Sequence, residues 1–307
     1  MKWFVIIFLF YNFNLSAQIR PVLSQYMLHQ STYNPGYSDP DTRFAINGFY
    51  KRQWVTHNNF PEAGIIYGHY NLNESHGVGA VISNDLMNGV NFFEFGINYT
   101  YNIPVFYEAN LGLGLKAAFS EQNLLNKSLI HFDPEPLLDN STTFTYLNAG
   151  LGLSLTSPRF NLFVSAPYLF GNSFLNQKST YTLKNNQFYL NIGYKFRNDD
   201  WFIFYPTALI TAVQGATIHG KFNSNFLISQ LVWAGLGVST DLTLNVCLGV
   251  FSMGGIRVVY SVDTSILTSH KSTGITHEFS LSYAKTLNQN PFHKRRTRGV
   301  TGGYNKK

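Results

Sequence analysis

Hydrophobic and polar side chains alternate with a period of two along most of this chain. From residue 93 to residue 103 the odd positions are apolar or aromatic, whereas the even positions carry Glu, Gly, Asn, Thr and Asn. The same alternation recurs from residues 111, 149, 188, 256 and 279. Since successive side chains of a strand point to opposite faces, the pattern predicts strands with one apolar face and one small or polar face.

The length of these segments favours a membrane protein over a soluble sandwich, which would also alternate. The predicted strands run for about 10 to 14 residues, which is long for a soluble protein and suits a tilted bilayer crossing. Their apolar faces often end in aromatic residues, as at Trp54, Tyr99, Tyr101 and Tyr283, which is typical of interfacial girdles. An open sheet edge in lipid would leave backbone groups unpaired, so the strands must close.

The fold class predicted from this pattern is all-β, a transmembrane antiparallel β-barrel with an N-terminal segment near or in the lumen. About 14 strands are expected between residues 43 and 286, starting near residues 43, 63, 76, 91, 108, 143, 159, 186, 202, 214, 225, 242, 254 and 274. Two long polar connections, 121–142 and 171–186, are expected to be extracellular loops, because the short turns of such barrels face the periplasm.

Composition supports this class. Aromatic residues make up 16% of the 307 residues and charged residues only 12%, against about 25% charged residues in an average soluble protein. Beyond the N terminus the chain has no run of about 18 apolar residues, so a transmembrane helix is disfavoured. The single cysteine, Cys247, excludes an internal disulfide.

The ends of the chain carry their own signals. Residues 1–17 combine Lys2, an apolar stretch and a small residue at Ala17, and they are expected to be a cleaved signal peptide. Residues 18–42 are polar and rich in turns, and are expected to plug the lumen or to line its periplasmic mouth. Residues 43–286 would form the barrel. Residues 287–307 would be a periplasmic tail with the basic cluster Lys294, Arg295, Arg296 and Arg298.

Several motifs resemble one protein family. The sequence Ser24-Gln25-Tyr26-Met27, then Tyr33-Asn34-Pro35-Gly36-Tyr37, is similar to the N-terminal signature of the PorP/SprF family of type IX secretion system outer-membrane proteins of Bacteroidota. Arg52-Gln53-Trp54-Val55 with Pro61, and the segments 255–263 and 274–283, resemble later blocks of that family. The usual Ala after Asn-Pro is Gly36 here, and the middle of the chain matches only in barrel character.

The resemblance implies a non-enzymatic barrel in the cell outer membrane. Its partner would be a secreted type IX substrate or adhesin, bound through its C-terminal signal, or components of the export and gliding machinery, such as a periplasmic lipoprotein or peptidoglycan-linked proteins. Outer-membrane lipid would surround it, and no nucleic acid is expected. The residues expected to contact a partner are Tyr26, Tyr33, Asn34, Pro35, Tyr37, Arg52, Trp54, Lys294, Arg295, Arg296 and Arg298. Plugging of the lumen is the alternative role of the first five.

Other chemistry is weakly signalled. His277 and Glu278 are adjacent on a predicted strand and therefore point to opposite faces, so no catalytic pair is expected there. Glu94, Lys116, Lys195, Arg197 and Arg257 are expected to be lumenal charges that mostly pair with one another. The acidic stretch 133–139 lacks the spacing of a calcium loop. No catalytic, metal-binding or cofactor-binding residue is expected, and no Ser-His-Asn set of a barrel lipase can be assembled. A transport channel for small or hydrophobic solutes is the alternative function.

Overall fold

The protein is a closed β-barrel, seen in a computed structural model. The structure describes residues 22–39, 42–55, 60–87, 89–105, 109–124, 142–170, 186–197, 201–213, 216–252, 254–266 and 274–286. The elements are α1 (Gln30–Tyr33), β1 (Thr42–Arg52), β2 (Glu62–Asn71), β3 (His76–Met87), β4 (Val90–Pro104), β5 (Asn110–Leu124), β6 (Thr142–Thr156), β7 (Phe160–Tyr168), β8 (Gln187–Tyr194), β9 (Phe196–Arg197), β10 (Phe202–Val213), β11 (His219–Ile228), β12 (Val232–Ser239), β13 (Thr243–Phe251), β14 (Ile256–Ser265) and β15 (Thr276–Thr286).

The strands follow one another around a single antiparallel sheet. Each strand pairs with its neighbours in the chain, and β15 returns to pair with β1, from Thr42 opposite Thr286 to Arg52 opposite His277. The short segments β8 and β9 are separated by Lys195 alone and both pair with β10. Pro206 of β10 lies beside this interruption, and it has no N–H group to donate to the ladder. The described part of the wall therefore has 14 strands, as predicted.

Most predicted strand starts lie within two residues of the observed ones, but two predictions were wrong. The strands expected from residues 214 and 225 begin at His219 and Val232. The turn between them contains Ser229 and Gln230 with φ angles of 51° and 57°. Glycine and asparagine usually occupy such left-handed hairpin positions, so the sequence carries no signal for this turn and the boundary was misplaced.

The two mouths of the barrel differ in their connections. At the end of the barrel where β1 begins and β15 ends, consecutive strands are linked by short connections: 72–75, 105–109, 157–159, 198–201, 229–231 and 252–255. This end is called the turn-side mouth. The opposite end, called the loop-side mouth, carries the connections 125–141 and 169–186. Most residues of the two predicted loops lie outside the described residues. Short turns face the periplasm in barrels of this type, so the loop-side mouth is expected to face the exterior.

The two faces of the wall have opposite chemistry. Large apolar side chains such as Phe95, Ile97 and Leu115 are exposed on the outside, whereas Glu94 and Lys116 are buried inside. The pattern therefore places apolar side chains toward lipid and polar side chains toward the lumen, as the alternation predicted. Among the described residues there is no helix of the length and apolarity needed to span a bilayer.

A charge on the outer face tests this assignment. Ile97 lies near the middle of β4 and is 56% exposed. Ile97→Arg is expected to lower the free energy of unfolding in lipid vesicles by about 2 to 4 kcal/mol, because arginine at the bilayer midplane loses its hydration. Urea titration of the refolded barrel measures this loss. Ile218→Arg, at an exposed position in a loop-side connection, is the control; equal costs at both positions would contradict the assignment.

Candidate functional site

The candidate site is the segment 22–39, which lies inside the barrel and is called the plug. Most of its side chains are buried, including Leu23, Gln25, Tyr26 and Asn34, which are almost fully inaccessible. Its first residues contact side chains near the loop-side ends of the strands, and its last residues contact the turn-side ends. The plug therefore traverses the lumen from one mouth to the other before β1 begins.

Glu278 on β15 holds the beginning of the plug. Its carboxylate accepts hydrogen bonds from the backbone N–H groups of Ser24 (2.8 Å) and Gln25 (3.3 Å). Lys51 of β1 lies 2.9 Å from the same carboxylate and donates to the Val22 carbonyl at 3.0 Å. Both charged side chains are almost completely buried. Because this pair is desolvated, each charge depends on the other and on its hydrogen bonds.

A second pair of charges completes this contact, which is called the latch and consists of Lys51, Lys221, Asp263 and Glu278. The Ser24 hydroxyl donates to Asp263 at 2.5 Å, while Lys221 donates to the Ser24 hydroxyl at 2.9 Å. Lys221 also donates to the Val22 carbonyl at 3.2 Å. Two ammonium groups and two carboxylates thus surround three plug residues. This polar network holds this end of the plug in one position.

The middle of the plug is anchored by tyrosine hydroxyls. The Tyr26 hydroxyl lies 2.9 Å from the Thr207 hydroxyl, and the Tyr33 hydroxyl accepts the Leu23 N–H at 2.7 Å. Tyr26, Tyr33 and His29 are all buried in the lumen. Asp39 is the only Asp, Glu, Lys or Arg among residues 22–39.

The Tyr-Asn-Pro-Gly-Tyr motif forms the turn-side end of the plug. Asn34 donates its amide to the Leu153 carbonyl at 3.0 Å and accepts the Gly36 N–H at 2.8 Å. The Pro35 carbonyl accepts from Thr100 at 2.7 Å. Three further hydrogen bonds hold this end: Ser154 to the Gly36 carbonyl, Ser165 to the Tyr33 carbonyl, and Ser38 to Asn71. The wall thus satisfies three carbonyl groups of the motif, while its N–H groups at Asn34, Gly36 and Tyr37 donate to acceptors within the plug.

Glycines of the wall make room for this motif. A methyl group at Gly152 would collide with Asn34, and one at Gly114 would collide with the backbone of Pro35 and Gly36. Gly112 is equally close to the Gly36 carbonyl. These three glycines, on β5 and β6, are called the glycine cradle. The Gly-x-Gly pattern of the sequence therefore marks the place where the wall approaches the plug backbone, since only glycine permits that approach.

The predicted block Arg52-Gln53-Trp54-Val55 lies at the loop-side mouth. Arg52 stacks its guanidinium over Phe60 at 3.6 Å from the ring centre and lies 3.6 Å from the Glu62 carboxylate. Trp54 has a φ of 54° and is 40% exposed. The turn 53–55, called the Trp54 turn, is fixed by two backbone hydrogen bonds, Gln53 N–H to the Pro61 carbonyl and Val55 N–H to the Ile275 carbonyl. A bulky residue is thus displayed in a conformation that such residues rarely adopt.

The other predicted site residues divide between the lumen and the undescribed tail. Tyr26, Tyr33, Asn34 and Pro35 are buried in the lumen and Tyr37 is half-buried there. Both roles predicted for them, plugging and partner contact, stay predictions. The basic cluster 294–298 lies outside the described residues.

Two of the predicted lumenal charges form an ion pair with each other. Lys116 and Glu94 form a buried ion pair at 2.5 Å, as expected. The side chains of Arg257 and Lys195 lie over the rings of Phe251 and Tyr205, so the prediction that the lumenal charges mostly pair with one another overlooked these aromatic contacts. The side chain of Arg197 is outside the described residues.

His277 and Glu278 point to opposite faces, as predicted. His277 lies outside, with its ring nitrogen 2.6 Å from the Tyr260 hydroxyl, whereas Glu278 is fully buried. Sequence reasoning missed the role of Glu278 in holding the plug, together with Lys51, Lys221 and Asp263. Their only signal was that isolated charges recur on the polar faces of strands. Within the described ranges, no group of three or more His, Cys, Asp or Glu residues is arranged to hold a metal ion.

Comparisons with known proteins identify one family model and several solved structures to which the chain is similar. The family model described as type IX secretion system membrane protein PorP/SprF matches residues 15–283. Among solved structures, the chain is similar to the Acinetobacter baumannii outer membrane protein Omp33, with 10% identity and a TM-score of 0.48 over 81% of this chain and 100% of that one. It is also similar to a Pseudomonas aeruginosa FadL homologue, with 10% identity and a TM-score of 0.48 over 82% and 91% of the two chains. No curated protein matches the sequence.

Proposed function

Because the chain belongs to the PorP/SprF family of type IX secretion system membrane proteins, we propose that this outer-membrane barrel is a non-enzymatic receptor. It binds a secreted surface protein at its loop-side mouth and contacts periplasmic components of the secretion machinery with its basic tail. The observation that carries the proposal is the plug, whose hydrogen bonds reach the wall at both mouths. A barrel whose lumen is occupied in this way uses its mouths and loops rather than its interior.

The plug also weighs against a channel for small or hydrophobic solutes. Such a channel requires the plug to move aside, and movement would break the buried Lys51–Glu278 contact and the hydrogen bonds of Asn34 and Ser24 together. Buried charges left without partners are costly, by about 3 to 5 kcal/mol for a single broken pair. The closed arrangement is therefore the resting state of the barrel.

The Trp54 turn is the described feature best suited to partner binding. It combines an exposed indole ring, a stacked arginine and backbone hydrogen bonds that hold the turn rigid. Tryptophan and arginine are enriched among the residues that dominate interface energies. The left-handed conformation of Trp54 is the kind of backbone strain that clusters at functional sites.

Co-purification tests the receptor proposal. A tagged barrel extracted from its native membrane is expected to retain a large secreted protein or its C-terminal domain, identified by mass spectrometry. Trp54→Ala is expected to reduce the recovered partner on the order of tenfold or more, as for a hot-spot residue. Trp201→Ala is the matched control, because Trp201 is also exposed but lies at the turn-side mouth.

Three outcomes separate the parts of the proposal. Equal recovery with Trp54→Ala and with the unmodified barrel would contradict the role of the Trp54 turn. Removal of residues 294–307 is expected to release periplasmic partners while the secreted partner is retained, and an unchanged set of partners would exclude a binding role for the tail. Recovery of no secreted protein in any variant, with solute uptake by the unmodified barrel, would favour the channel.

A further inference from the structure

The direction in which the plug passes through the barrel is informative. The wall begins at Thr42 and ends at Thr286, and these two residues are paired at the turn-side mouth. The plug residues closest to β1 lie at the same mouth, since Ser38 donates to Asn71 at the end of β2. Residues 34–38 of the plug contact Leu153, Thr100, Ser154 and Asn71 toward this mouth, whereas the beginning of the plug does not.

The N-terminal contacts are all at the opposite end. Lys51 is next to the last residue of β1, Asp263 is close to the end of β14, and Glu278 is close to the start of β15. Lys221 is close to the start of β11. These four positions mark the loop-side mouth, and all four side chains hold residues 22–24.

We infer that the plug enters the barrel from the loop-side mouth, so that the chain leading to Val22 is displayed there, on the opposite side of the membrane from the two ends of the barrel wall. The chain reaches this mouth at Val22, whose carbonyl is held by Lys51 and Lys221. With short turns toward the periplasm, this mouth faces the cell exterior. Val22 and the two ends of the wall, Thr42 and Thr286, therefore lie at opposite mouths.

The displayed end adjoins the Trp54 turn. Lys51 and Glu278 are directly opposite on β1 and β15, and the same two strands lead into Val55 and Ile275, whose backbones are hydrogen-bonded. The latch and the Trp54 turn therefore lie next to each other at the loop-side mouth, the latch on β1 and β15 and the turn just beyond the ends of these strands. Resting on the proposed function, a secreted protein bound at the Trp54 turn covers the N-terminal end of the plug.

Cysteine labelling of intact cells tests the display. The only native cysteine, Cys247, is fully buried, and Cys247→Ser gives a background without thiols. In that background, Arg20→Cys marks the N-terminal end, Ile218→Cys marks the loop-side mouth and Glu74→Cys marks an exposed turn-side position. A membrane-impermeant maleimide is the probe, applied before and after the outer membrane is opened.

Arg20→Cys is expected to label on intact cells together with Ile218→Cys, while Glu74→Cys labels only after the membrane is opened. Labelling of Arg20→Cys only together with Glu74→Cys, or only after denaturation, would overturn the display. The comparison is repeated in cells without a working type IX system. Faster labelling of Arg20→Cys there is expected if a secreted protein covers the site, whereas equal labelling leaves the display intact and contradicts the contact with the partner.

Discussion

Replacement of Gly114 and Gly152 by alanine in one variant is expected to expel the plug from the glycine cradle and to turn a closed barrel into a conducting one. The added methyl groups would collide with Asn34 and with the backbone of Pro35 and Gly36. Overpacking of this kind costs about 1 to 3 kcal/mol at each position. At Gly114 the collision involves the plug backbone. At Gly152 the Gly36 nitrogen would lie 2.8 Å from the added methyl group even if the Asn34 side chain moved away, so a change of rotamer alone does not relieve the overlap.

The measurement is ion conductance across planar bilayers, together with protease cleavage of the plug. The matched control is Gly48→Ala with Gly64→Ala, since a methyl group there meets nothing closer than 3.8 Å. This control is expected to stay closed and protected. A barrel from which residues 22–39 are deleted should conduct like the cradle variant. If the cradle variant folds and remains as closed as the control, the cradle does not hold the plug.

Glu278→Ala is expected to produce the largest loss of stability among the charged residues of the lumen. The substitution leaves Lys51 as a buried charge without its carboxylate and removes the acceptor of the Ser24 and Gln25 N–H groups. Breaking a buried ion pair costs about 3 to 5 kcal/mol. The plug should detach at its loop-side end while the Asn34 contacts persist at the other end.

Urea titration of the refolded barrel, followed by tryptophan fluorescence, measures the cost. Glu62→Gln is the control, because its partner Arg52 is exposed and surface ion pairs contribute only about 0 to 1 kcal/mol. The double variant Lys51→Met with Glu278→Leu is expected to lose less than Glu278→Ala alone, since no charge is left unpaired. Equal costs for Glu278→Ala and Glu62→Gln would show that the latch does not stabilise the fold.

The cradle variant, with Gly114 and Gly152 replaced, and Glu278→Ala act at opposite ends of the plug. They therefore test its two attachments separately. The cradle holds the motif around Asn34 by shape, whereas the latch holds Ser24 by charge and hydrogen bonds. If both attachments are independent, the two costs should add, as is usual for sites without shared partners. A cost of the combined variant well below the sum would indicate that the plug is released as one unit.

Many residues of the site could be identified from the sequence, but their positions relative to one another could not. The Tyr-Asn-Pro-Gly-Tyr motif indicated a restricted turn, because proline limits Asn34 to extended conformations, and the structure confirms that this turn lies in the lumen. The sequence did not show that Gly152 would face Asn34, or that Glu278 would bind Ser24, which is 254 positions away. Contacts of this range depend on how the barrel closes.

The sequence by itself determined the approximate number of strands, most of their starts and the face that each side chain occupies. A period of two follows from the local geometry of an extended chain, and closure follows from the need to satisfy backbone groups in lipid. Only the tertiary structure decided the direction of the plug, the partners of the buried charges and the boundaries at His219 and Val232. The physical reason is that these features arise where distant segments meet, and residues such as Ser229 and Gln230 adopt their conformations only because the two strands they join are paired.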